Sequence, residues 1–376
     1  MKYTTALPFF PQEDIEQILK KFGKILAGEG MLTKGPQVKE FEREFAAYTG
    51  VPYAVAANSC TSALEVVFKA FGVGKGDEVI VPVQTFFSSA SSAVAVGAWP
   101  VFCDTDDNFL LSFEDLKRKI SPATKAVVVV HFAGLIHPEI FAIRDYLKER
   151  NILLIEDAAH ASGAEIKGVR AGAIGDAGCF SFFSTKVMTT GDGGMITTNN
   201  ETVAKLCRSL IHLGIDVDAP QEQYSEIGGN RRMTEFQGIL GRFQLKRLDE
   251  FVAHRNMIAR IYQEELRSLE KEGRIAFPQF PGTVRHAYWR FIVFLQPGLN
   301  RDKVRERMRE KDIAIDWPYQ PLVHLQPAFQ KLYDTKEGPY PNAESRVGRH
   351  ICLPIHLGIS KDAAYFIAAQ FKNSVL

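Results

Sequence analysis

A lysine placed between an aromatic run and a glycine-rich turn is the residue of this chain best suited to covalent chemistry. Lys186 ends the segment Phe180–Lys186 and is followed by Gly191–Met195. Most lysines are solvated on protein surfaces. Here the aromatic run predicts partial burial, which keeps the amine reactive enough to form an imine with a carbonyl compound. Ser181, in the same segment, would add a hydroxyl group to a phosphate site.

A carboxylate lies at the end of another apolar run. Asp157 follows Ile152–Glu156, and ligands of an open α/β sheet bind beyond the carboxyl ends of its strands. A carboxylate there could pair with the protonated pyridine nitrogen of a cofactor and hold the ring cationic. Capping of the next turn by Asp157 is the alternative, and this segment alone does not decide. His160 could orient Asp157 or face a cofactor ring, although a single histidine is more often structural.

Two more strand ends carry candidate ligand contacts. Asn58–Leu64 joins a strand to a helix with small and hydroxyl residues, which leaves backbone N–H groups free at the positive end of the helix dipole, where phosphate binds. Ordinary N-capping by Ser59 or Thr61 explains the same pattern. Phe86 follows the strand that ends at Pro82 and could stack flat on a pyridine ring, whereas core packing is the ordinary role of a phenylalanine.

The elements that must position these residues alternate along the chain. From about residue 50 to 200, short β-rich runs alternate with amphipathic segments such as Thr61–Phe71 and Glu139–Arg150. This pattern predicts an α/β fold, with βαβ units that build a largely parallel seven-stranded sheet flanked by helices. The predicted strands are Tyr53–Ala57, Glu78–Pro82, Pro100–Cys103, Ala126–His131, Ile152–Glu156, Gly178–Phe183 and Gly194–Thr198.

Two domains are expected, because 376 residues exceed one ordinary compact core. A long helical run extends from about Thr234 to Leu269 and ends near Gly273. Beyond it, β-rich Tyr288–Leu295 and helical Arg301–Lys311 begin a new pattern. We therefore predict a large cofactor-binding domain over residues 1–250 and a smaller C-terminal α+β domain over residues 251–376.

Charge and composition argue against several classes of protein. The formal net charge of +1 gives no field that would gather polyanions, so no nucleic-acid partner is expected. No stretch approaches the roughly 20 apolar residues that cross a bilayer, and the first residues lack the apolar core of a secretory signal. The five cysteines are scattered and form no CxxC pair, which favours a reduced, cytoplasmic setting and no zinc or other metal site.

Taken together, these segments resemble the DegT/DnrJ/EryC1/StrS family of sugar aminotransferases, members of the fold type I group of pyridoxal-phosphate enzymes. The resemblance covers nearly the whole chain and implies the fold type I architecture. Other segments that carry it are Leu32–Glu42, Gly76–Pro82, Gly229–Gln237 and Pro321–Pro327. Some members replace the lysine with histidine and act as dehydratases, so the presence of Lys186 favours transamination.

The resemblance implies a role in cofactor binding for the residues at the strand ends. Lys186 is the expected Schiff-base lysine and catalytic residue. Asp157 is the expected partner of the pyridine nitrogen, and Phe86 the ring that stacks on the cofactor. His160 falls on a position that the family fills with Gln or His.

Further roles are implied for the phosphate and the substrate. Cys60, Thr61 and Ser181 fall on the family's phosphate-binding positions. Asn230 matches a residue that reaches the phosphate from the neighbouring subunit, which implies a homodimer with shared active sites. His324 matches a position that can touch the sugar, and a capping or packing role fits it equally well.

The implied reaction moves an amino group from an amino acid, with L-glutamate as the expected donor, to a keto-sugar, with a nucleotide-linked sugar expected. The cofactor is pyridoxal 5′-phosphate, which passes through its pyridoxamine 5′-phosphate form during turnover. The setting would be the biosynthesis of cell-surface polysaccharides or natural-product sugars, and cyclitol acceptors remain open. Departures from the family pattern are Cys60 for Gly, Asp192 for Glu and Arg231 for an aromatic residue, and they concern substrate contacts more than cofactor binding.

Two other functions are weighed against this one. A nicotinamide-dependent sugar oxidoreductase would need a glycine-rich motif after a strand, but Gly72–Gly76 precedes one. A non-catalytic or regulatory descendant with the same fold is the other alternative. The presence of both Lys186 and Asp157 counts against it.

Overall fold

The computed structural model describes residues 1–375, which form an α/β fold with helices along most of the chain. The helices are α1 (Gln12–Lys24), α2 (Pro36–Thr49), α3 (Cys60–Ala70), α4 (Phe87–Ala95), α5 (Phe113–Lys119), α6 (Ile140–Lys148), α7 (Glu201–Ile211), α8 (Glu235–Glu265), α9 (Arg267–Lys271), α10 (Arg301–Arg309), α11 (Pro327–Tyr333), α12 (Pro341–Val347) and α13 (Lys361–Val375). None of these helices combines the length and apolar character that a membrane span requires.

The strands form one large sheet and two small ones. They are β1 (Tyr53–Ala57), β2 (Glu78–Pro82), β3 (Trp99–Cys103), β4 (Thr124–Val130), β5 (Leu153–Asp157), β6 (Glu165–Ile166), β7 (Val169–Arg170), β8 (Ala177–Ser181), β9 (Gly194–Thr198), β10 (Ile275–Ala276), β11 (Val284–Arg285), β12 (Phe291–Leu295) and β13 (His350–Leu353).

The large sheet has seven strands in the order β1-β9-β8-β5-β4-β2-β3. Only β9, among the described strands of this sheet, runs antiparallel to its neighbours β1 and β8. The predicted largely parallel seven-stranded sheet is therefore confirmed. Three predicted strands match their observed bounds, and the other four are shifted by one or two residues at one or both ends, because a strand that is apolar on both faces gives no alternation that marks its ends.

Helices are needed on both faces of this sheet, and β4 shows why. Val127 and Val129 pack into the hydrophobic cluster on one face. Val128 and Val130 pack into the cluster on the other face. Successive side chains of a strand point to opposite faces, so a run of valines buries both of them.

The long helix α8 connects the large sheet to the C-terminal part of the chain. Its first turn is fixed by a capping box between Thr234 and Gln237. The helix continues without interruption through residue 250, and the third hydrophobic cluster, which includes β12 and α13, begins at Ile258. The segment between Leu322 and Ala343 returns to pack against the large sheet. The domain boundary near residue 250 thus falls inside α8 and stays a prediction.

Candidate active site

A cavity of about 430 Å³ lies at the carboxyl ends of the parallel strands, where ligands of such sheets bind. Its volume is in the range of small-molecule sites, about 300–1,000 Å³. Seven of the nine predicted site residues line it: Cys60, Thr61, Phe86, Asp157, His160, Ser181 and Lys186. Residues of the C-terminal part, Trp289, Arg290, Pro318 and Tyr319, complete the wall.

Lys186 is held in the cavity by the turn that follows β8. Its backbone N–H donates to the carbonyl of Phe183 at 2.9 Å, and the Nε1 of Trp289 donates to the carbonyl of Thr185 at 2.9 Å. The Lys186 Nζ lies 4.4 Å from the centre of the Trp289 ring. Burial lowers the pKa of Lys186 to about 8, against the opposing attraction of Asp157. The fraction of the amine that is neutral and nucleophilic near neutral pH is therefore much larger than for a solvated lysine.

In the glycine-rich turn after Lys186, steric crowding requires glycine at position 193. Its φ of +155° belongs to a region that side chains rarely adopt, and an added Cβ would lie 2.4 Å from the Thr190 Oγ1. The same Thr190 hydroxyl donates to the carbonyl of Asp192 at 2.5 Å. The tight turn thereby directs the chain from Lys186 back into β9.

Asp157 is the last residue of β5, one position later than the strand was predicted to end. Its side chain is buried, and its Oδ2 accepts a hydrogen bond of 2.7 Å from the Ser89 hydroxyl. Its Oδ1 accepts from the Ala159 N–H at 3.1 Å and lies 4.0 Å from the Cys60 Sγ. Because a carboxylate can accept about four hydrogen bonds, Asp157 retains capacity for one more donor from a ligand.

An anion site is formed where α3 begins. Ser59 caps the helix by accepting a hydrogen bond from the Ser62 N–H at 3.1 Å. The other N–H groups of the first turn have no partner within a helix and lie at the positive end of its dipole. The Thr61 hydroxyl shares a 2.7 Å hydrogen bond with Ser88, and Ser181 lines the same cavity from the end of β8. This arrangement suits a phosphate group.

Aromatic side chains form the walls between these polar groups. The Phe86 side chain lines the cavity and is 52% exposed, so about half of its surface is open to contact with a ligand. His160 stacks on Trp289 with 3.8 Å between ring centres, and its Nε2 lies 2.8 Å from the Tyr319 hydroxyl. Burial, with the nearby Lys186 charge, holds the pKa of His160 well below its usual value. The histidine is thus neutral and bonded to Tyr319 rather than to Asp157.

Four residues that the sequence analysis missed contribute to the site. Ser89 binds Asp157 from α4, while Trp289, Arg290 and Tyr319 reach the cavity from the part predicted to be a separate domain. Of these four, only Trp289 and Arg290 could have been predicted from the sequence, because a large aromatic residue and a cation stand directly before a strand. Tyr319 reaches the cavity through packing between segments that are distant in the sequence, which no local pattern can predict.

The structure does not bring Asn230 or His324 to the cavity. Asn230 is exposed and forms an isolated β-bridge with His212. His324 is fully buried, with its Nε2 3.4 Å from a carboxylate oxygen of Glu344 and its ring against Tyr340 at 4.6 Å. This placement favours the packing role for His324, and its contact with a sugar stays a prediction.

The fold and the cavity together define the class: an α/β protein with a lysine, a buried carboxylate and the start of a helix around one cavity at the strand ends. The model of the DegT/DnrJ/EryC1/StrS aminotransferase family matches residues 12–372. The chain therefore belongs to this family.

Individual relatives agree with the family assignment. The spore coat polysaccharide biosynthesis protein SpsC of Bacillus subtilis is 36% identical, with 95% of this chain and 93% of the relative covered. A GDP-perosamine synthase of Caulobacter vibrioides is 39% identical over 79% of this chain and 80% of the relative. The crystal structure of an aminotransferase from Psychrobacter cryohalolentis matches with a TM-score of 0.92 and 29% identity over 99% and 98% of the two chains. The predicted family, fold and enzyme class, a pyridoxal-phosphate-dependent sugar aminotransferase, are confirmed.

Proposed function

We propose that this chain transfers an amino group from an amino acid, with L-glutamate as the donor, to the keto group of a nucleotide-linked sugar in the cytoplasm. The product would enter a cell-surface polysaccharide or a natural-product sugar. The observation that carries the proposal is that Lys186, Asp157 and the first turn of α3 line one cavity. The similarity to a GDP-perosamine synthase supports the choice of a nucleotide-linked acceptor.

The residues present fit pyridoxal 5′-phosphate. Phe86 keeps an apolar ring half-exposed in the cavity, as a site for a flat aromatic ligand requires. Lys186 forms no hydrogen bond or ion pair with another side chain of residues 1–375, and its Nζ lies 4.4 Å from the centre of the Trp289 ring. Asp157 has acceptor capacity left, and the start of α3 offers backbone N–H groups to a phosphate. When bound, the cofactor supplies a cationic ring that delocalises the electrons released when the donor Cα loses its proton.

Lys186 has two tasks in this proposal. Its neutral amine first holds the cofactor covalently, which the lowered pKa of about 8 makes favourable near neutral pH. When the donor amine takes its place, the freed Nζ remains next to the reacting carbon. It can then remove the proton from the donor Cα and return it elsewhere, as a general base and then a general acid.

Asp157 holds a proton at the ring nitrogen. Its carboxylate is buried and fixed by Ser89 and Ala159, so it does not need to reorganise to accept the N–H of the ring. His160, neutral and stacked on Trp289, keeps Trp289 and Tyr319 in position beside Lys186. The aromatic rings shield this side of the amine from water.

A homodimer is part of the proposal. Asn230 is exposed and lies outside the cavity of its own chain, so a contact with the phosphate requires a second copy. Its neighbourhood carries exposed apolar side chains, Tyr224 at 57% and Ile227 at 87%, which a partner subunit would cover. Size-exclusion chromatography with light scattering of the holoenzyme, and of Asn230→Ala, tests this arrangement.

The decisive experiment is to trap the covalent bond to the cofactor. Purified protein, loaded with pyridoxal phosphate, is reduced with borohydride, digested and analysed by mass spectrometry. We expect the added mass on the peptide that contains Lys186, and no added mass in Lys186→Ala. Lys75→Ala, which removes an exposed lysine, should leave the modification unchanged. A cofactor bound to a different lysine, or no cofactor uptake, would refute the proposal.

The acceptor is tested with a panel of keto-sugars. Holoenzyme and ¹⁵N-labelled L-glutamate are incubated with each acceptor of the panel. The panel contains 4-keto and 3-keto sugars linked to pyrimidine or purine nucleotides, and a keto-cyclitol. Transfer of the label to a sugar carbon, observed by NMR, identifies the acceptor and the position. Labelling of no acceptor while 2-oxoglutarate accumulates would contradict a sugar substrate.

A further inference from the structure

A buried arginine in the cavity has no assigned role in the proposed reaction. The Arg290 side chain is about nine-tenths buried, lines the cavity and packs over the Trp289 ring. Its Nη1 donates to the carbonyl of Trp289 at 3.2 Å, but its Nε is buried and has no hydrogen-bond partner in the described chain. A buried guanidinium with unused donors is costly unless it has a ligand.

Within residues 1–375, Arg290 forms one ion pair, and that pair leaves hydrogen-bonding groups unused. The Nη2 lies 3.2 Å from the Asp316 Oδ2, and the Asp316 side chain is 34% exposed. The other carboxylate oxygen, Oδ1, also lacks a hydrogen-bond partner. The backbone of Asp316 is anchored by a 2.8 Å hydrogen bond from the Cys352 N–H. Because only the side chain would have to turn toward water, Asp316 is suited to release the guanidinium.

Arg290 and Lys186 both lie beside the indole ring of Trp289. The Lys186 Nζ lies 4.4 Å from the centre of the Trp289 ring, and the Arg290 Cζ lies 4.3 Å from the same point. An amino-acid donor must present its amine where the Lys186 amine reacts. Its carboxylate is bonded to the carbon that bears the amine, so it lies in the same cavity that Arg290 lines.

We propose that Arg290 is the carboxylate-binding residue of the active site, and that Asp316 neutralises it when no carboxylate is bound. The inference rests on the proposed transamination. A carboxylate is ideally matched by the planar fork of an arginine, and the α-carboxylate of the donor is the source that the position beside Lys186 favours. A carboxylate on the acceptor sugar is the other source of the same chemistry.

The exchange of Asp316 for a ligand explains how one cavity serves two unlike substrates. The donor carries a negative charge on its α-carboxylate, next to the reacting carbon, whereas the keto-sugar ring of the acceptor has no charge beside its reacting carbon. If Arg290 had no internal partner, it would be left uncompensated and buried whenever the sugar is bound. Asp316 removes that cost, and it yields to the donor because it is held by one bond at the edge of the solvent.

The test measures carboxylate binding directly. Holoenzyme is titrated with glutarate, an unreactive dicarboxylate, and binding is followed by calorimetry and by Trp fluorescence. In Arg290→Gln we expect the dissociation constant to rise about tenfold or more, the size of one charge-assisted hydrogen bond. Arg290→Lys, which keeps the charge without the fork, should be intermediate. Asp316→Asn should bind glutarate more tightly, because it removes the internal competitor.

Single-turnover kinetics identify the source of the carboxylate. With L-glutamate, Arg290→Gln should raise the concentration for half-maximal rate much more than it lowers the maximal rate. If L-glutamate and glutarate are unaffected but a keto-uronic acid nucleotide binds more weakly, the carboxylate comes from the sugar. Arg305→Gln, an exposed arginine outside the cavity, is the matched control and should change neither ligand.

The failure of this inference is distinct from failure of the proposed function. Unchanged binding of glutarate, L-glutamate and the keto-uronic acid in both Arg290 variants would overturn the role of Arg290. Unchanged binding in Asp316→Asn of the ligand that Arg290 binds would overturn the role of Asp316. A wild-type enzyme that reacts with no amino acid, yet binds glutarate through Arg290, would instead refute transamination and leave the carboxylate site intact.

Discussion

Two neighbouring carboxylates on β5 differ in almost every respect except their chemical type. Glu156 points to one face of the sheet and is fully buried. It accepts four hydrogen bonds, one from the His131 ring at 2.8 Å and three from the backbone of the loop 172–175 at 2.7–2.8 Å. Asp157 points to the other face, lines the cavity, and accepts two hydrogen bonds and a distant thiol contact.

The comparison separates a carboxylate used for stability from one reserved for a ligand. Burial raises the pKa of Glu156, but its hydrogen bonds with His131 and the backbone outweigh burial, and the net pKa is lowered. Glu156 therefore stays charged and ties the loop 172–175 to the sheet. Asp157 has fewer partners in the chain, which is the expected condition of a group that waits for a bound molecule.

The largest effect that tests this comparison is loss of activity in Asp157→Asn. The amide cannot hold the proton of a ring nitrogen as a charge would, so we expect the rate of amino transfer to fall about 10²–10³-fold, the range for one preorganised electrostatic contact. Thermal unfolding should change little, since the side chain has few internal partners. Steady-state kinetics and calorimetry on the same preparation measure both.

The matched variant on the other face, Glu156→Gln, should show the reverse. The amide group of Gln would face backbone donors and leave at least one of them unsatisfied. We expect the free energy of unfolding to drop by about 2–3 kcal/mol, measured by urea denaturation, with activity per folded molecule nearly kept. If Asp157→Asn proved the more destabilising of the two, the division between a structural and a ligand-binding carboxylate would be wrong.

Much of this arrangement was predictable from the sequence, and the part that was not has a common physical cause. The sequence predicts that Asp157, Lys186, Phe86 and Thr61 belong to the site. Each follows an apolar run that marks a buried parallel strand, and ligands bind beyond the ends of such strands. The pattern suggested a role for each residue with alternatives left open, and the resemblance to a family selected among them. The structure then places all four in one cavity.

The unpredicted part depends on contacts between distant segments. Nothing local indicates that Glu156 binds the loop 172–175, or that Arg290 and Tyr319 reach across from beyond α8. The same limit affects the domain boundary, since a helix pattern that passes residue 250 does not reveal that Leu322 packs back on the large sheet. The periodicity of apolar residues shows which face of a helix or strand is buried, but not which distant segment packs against that face.

A smaller effect concerns the proton on Lys186. Burial lowers its pKa to about 8 and the Asp157 charge opposes this shift, so the neutral fraction of the amine rises as the pH passes through about 8. In the apoprotein, the rate at which Lys186 is reductively methylated should rise with pH with a midpoint near this value. Asp157→Asn removes the opposing charge and should move the midpoint to lower pH.

Glu156→Gln is the control for this titration. Because Glu156 faces the opposite side of β5, its loss should leave the Lys186 midpoint unchanged, as followed by mass spectrometry of the modified peptide. Equal shifts in the two variants would indicate a general change in burial rather than the charge of Asp157.

The smallest expected effect concerns Ser89, which supports Asp157 from α4. Its hydroxyl donates to the Asp157 Oδ2 at 2.7 Å and shares a 2.7 Å hydrogen bond with Thr85. Ser89→Ala removes one donor and leaves the carboxylate less firmly oriented, which should cost about 1 kcal/mol, or about fivefold in kcat/KM. Ser92→Ala is the control, since that buried hydroxyl on the same helix makes only a 3.4 Å contact with the Thr61 carbonyl. If the two variants lost activity equally, the effect would belong to the packing of α4, and Asp157 would not depend on Ser89 for its orientation.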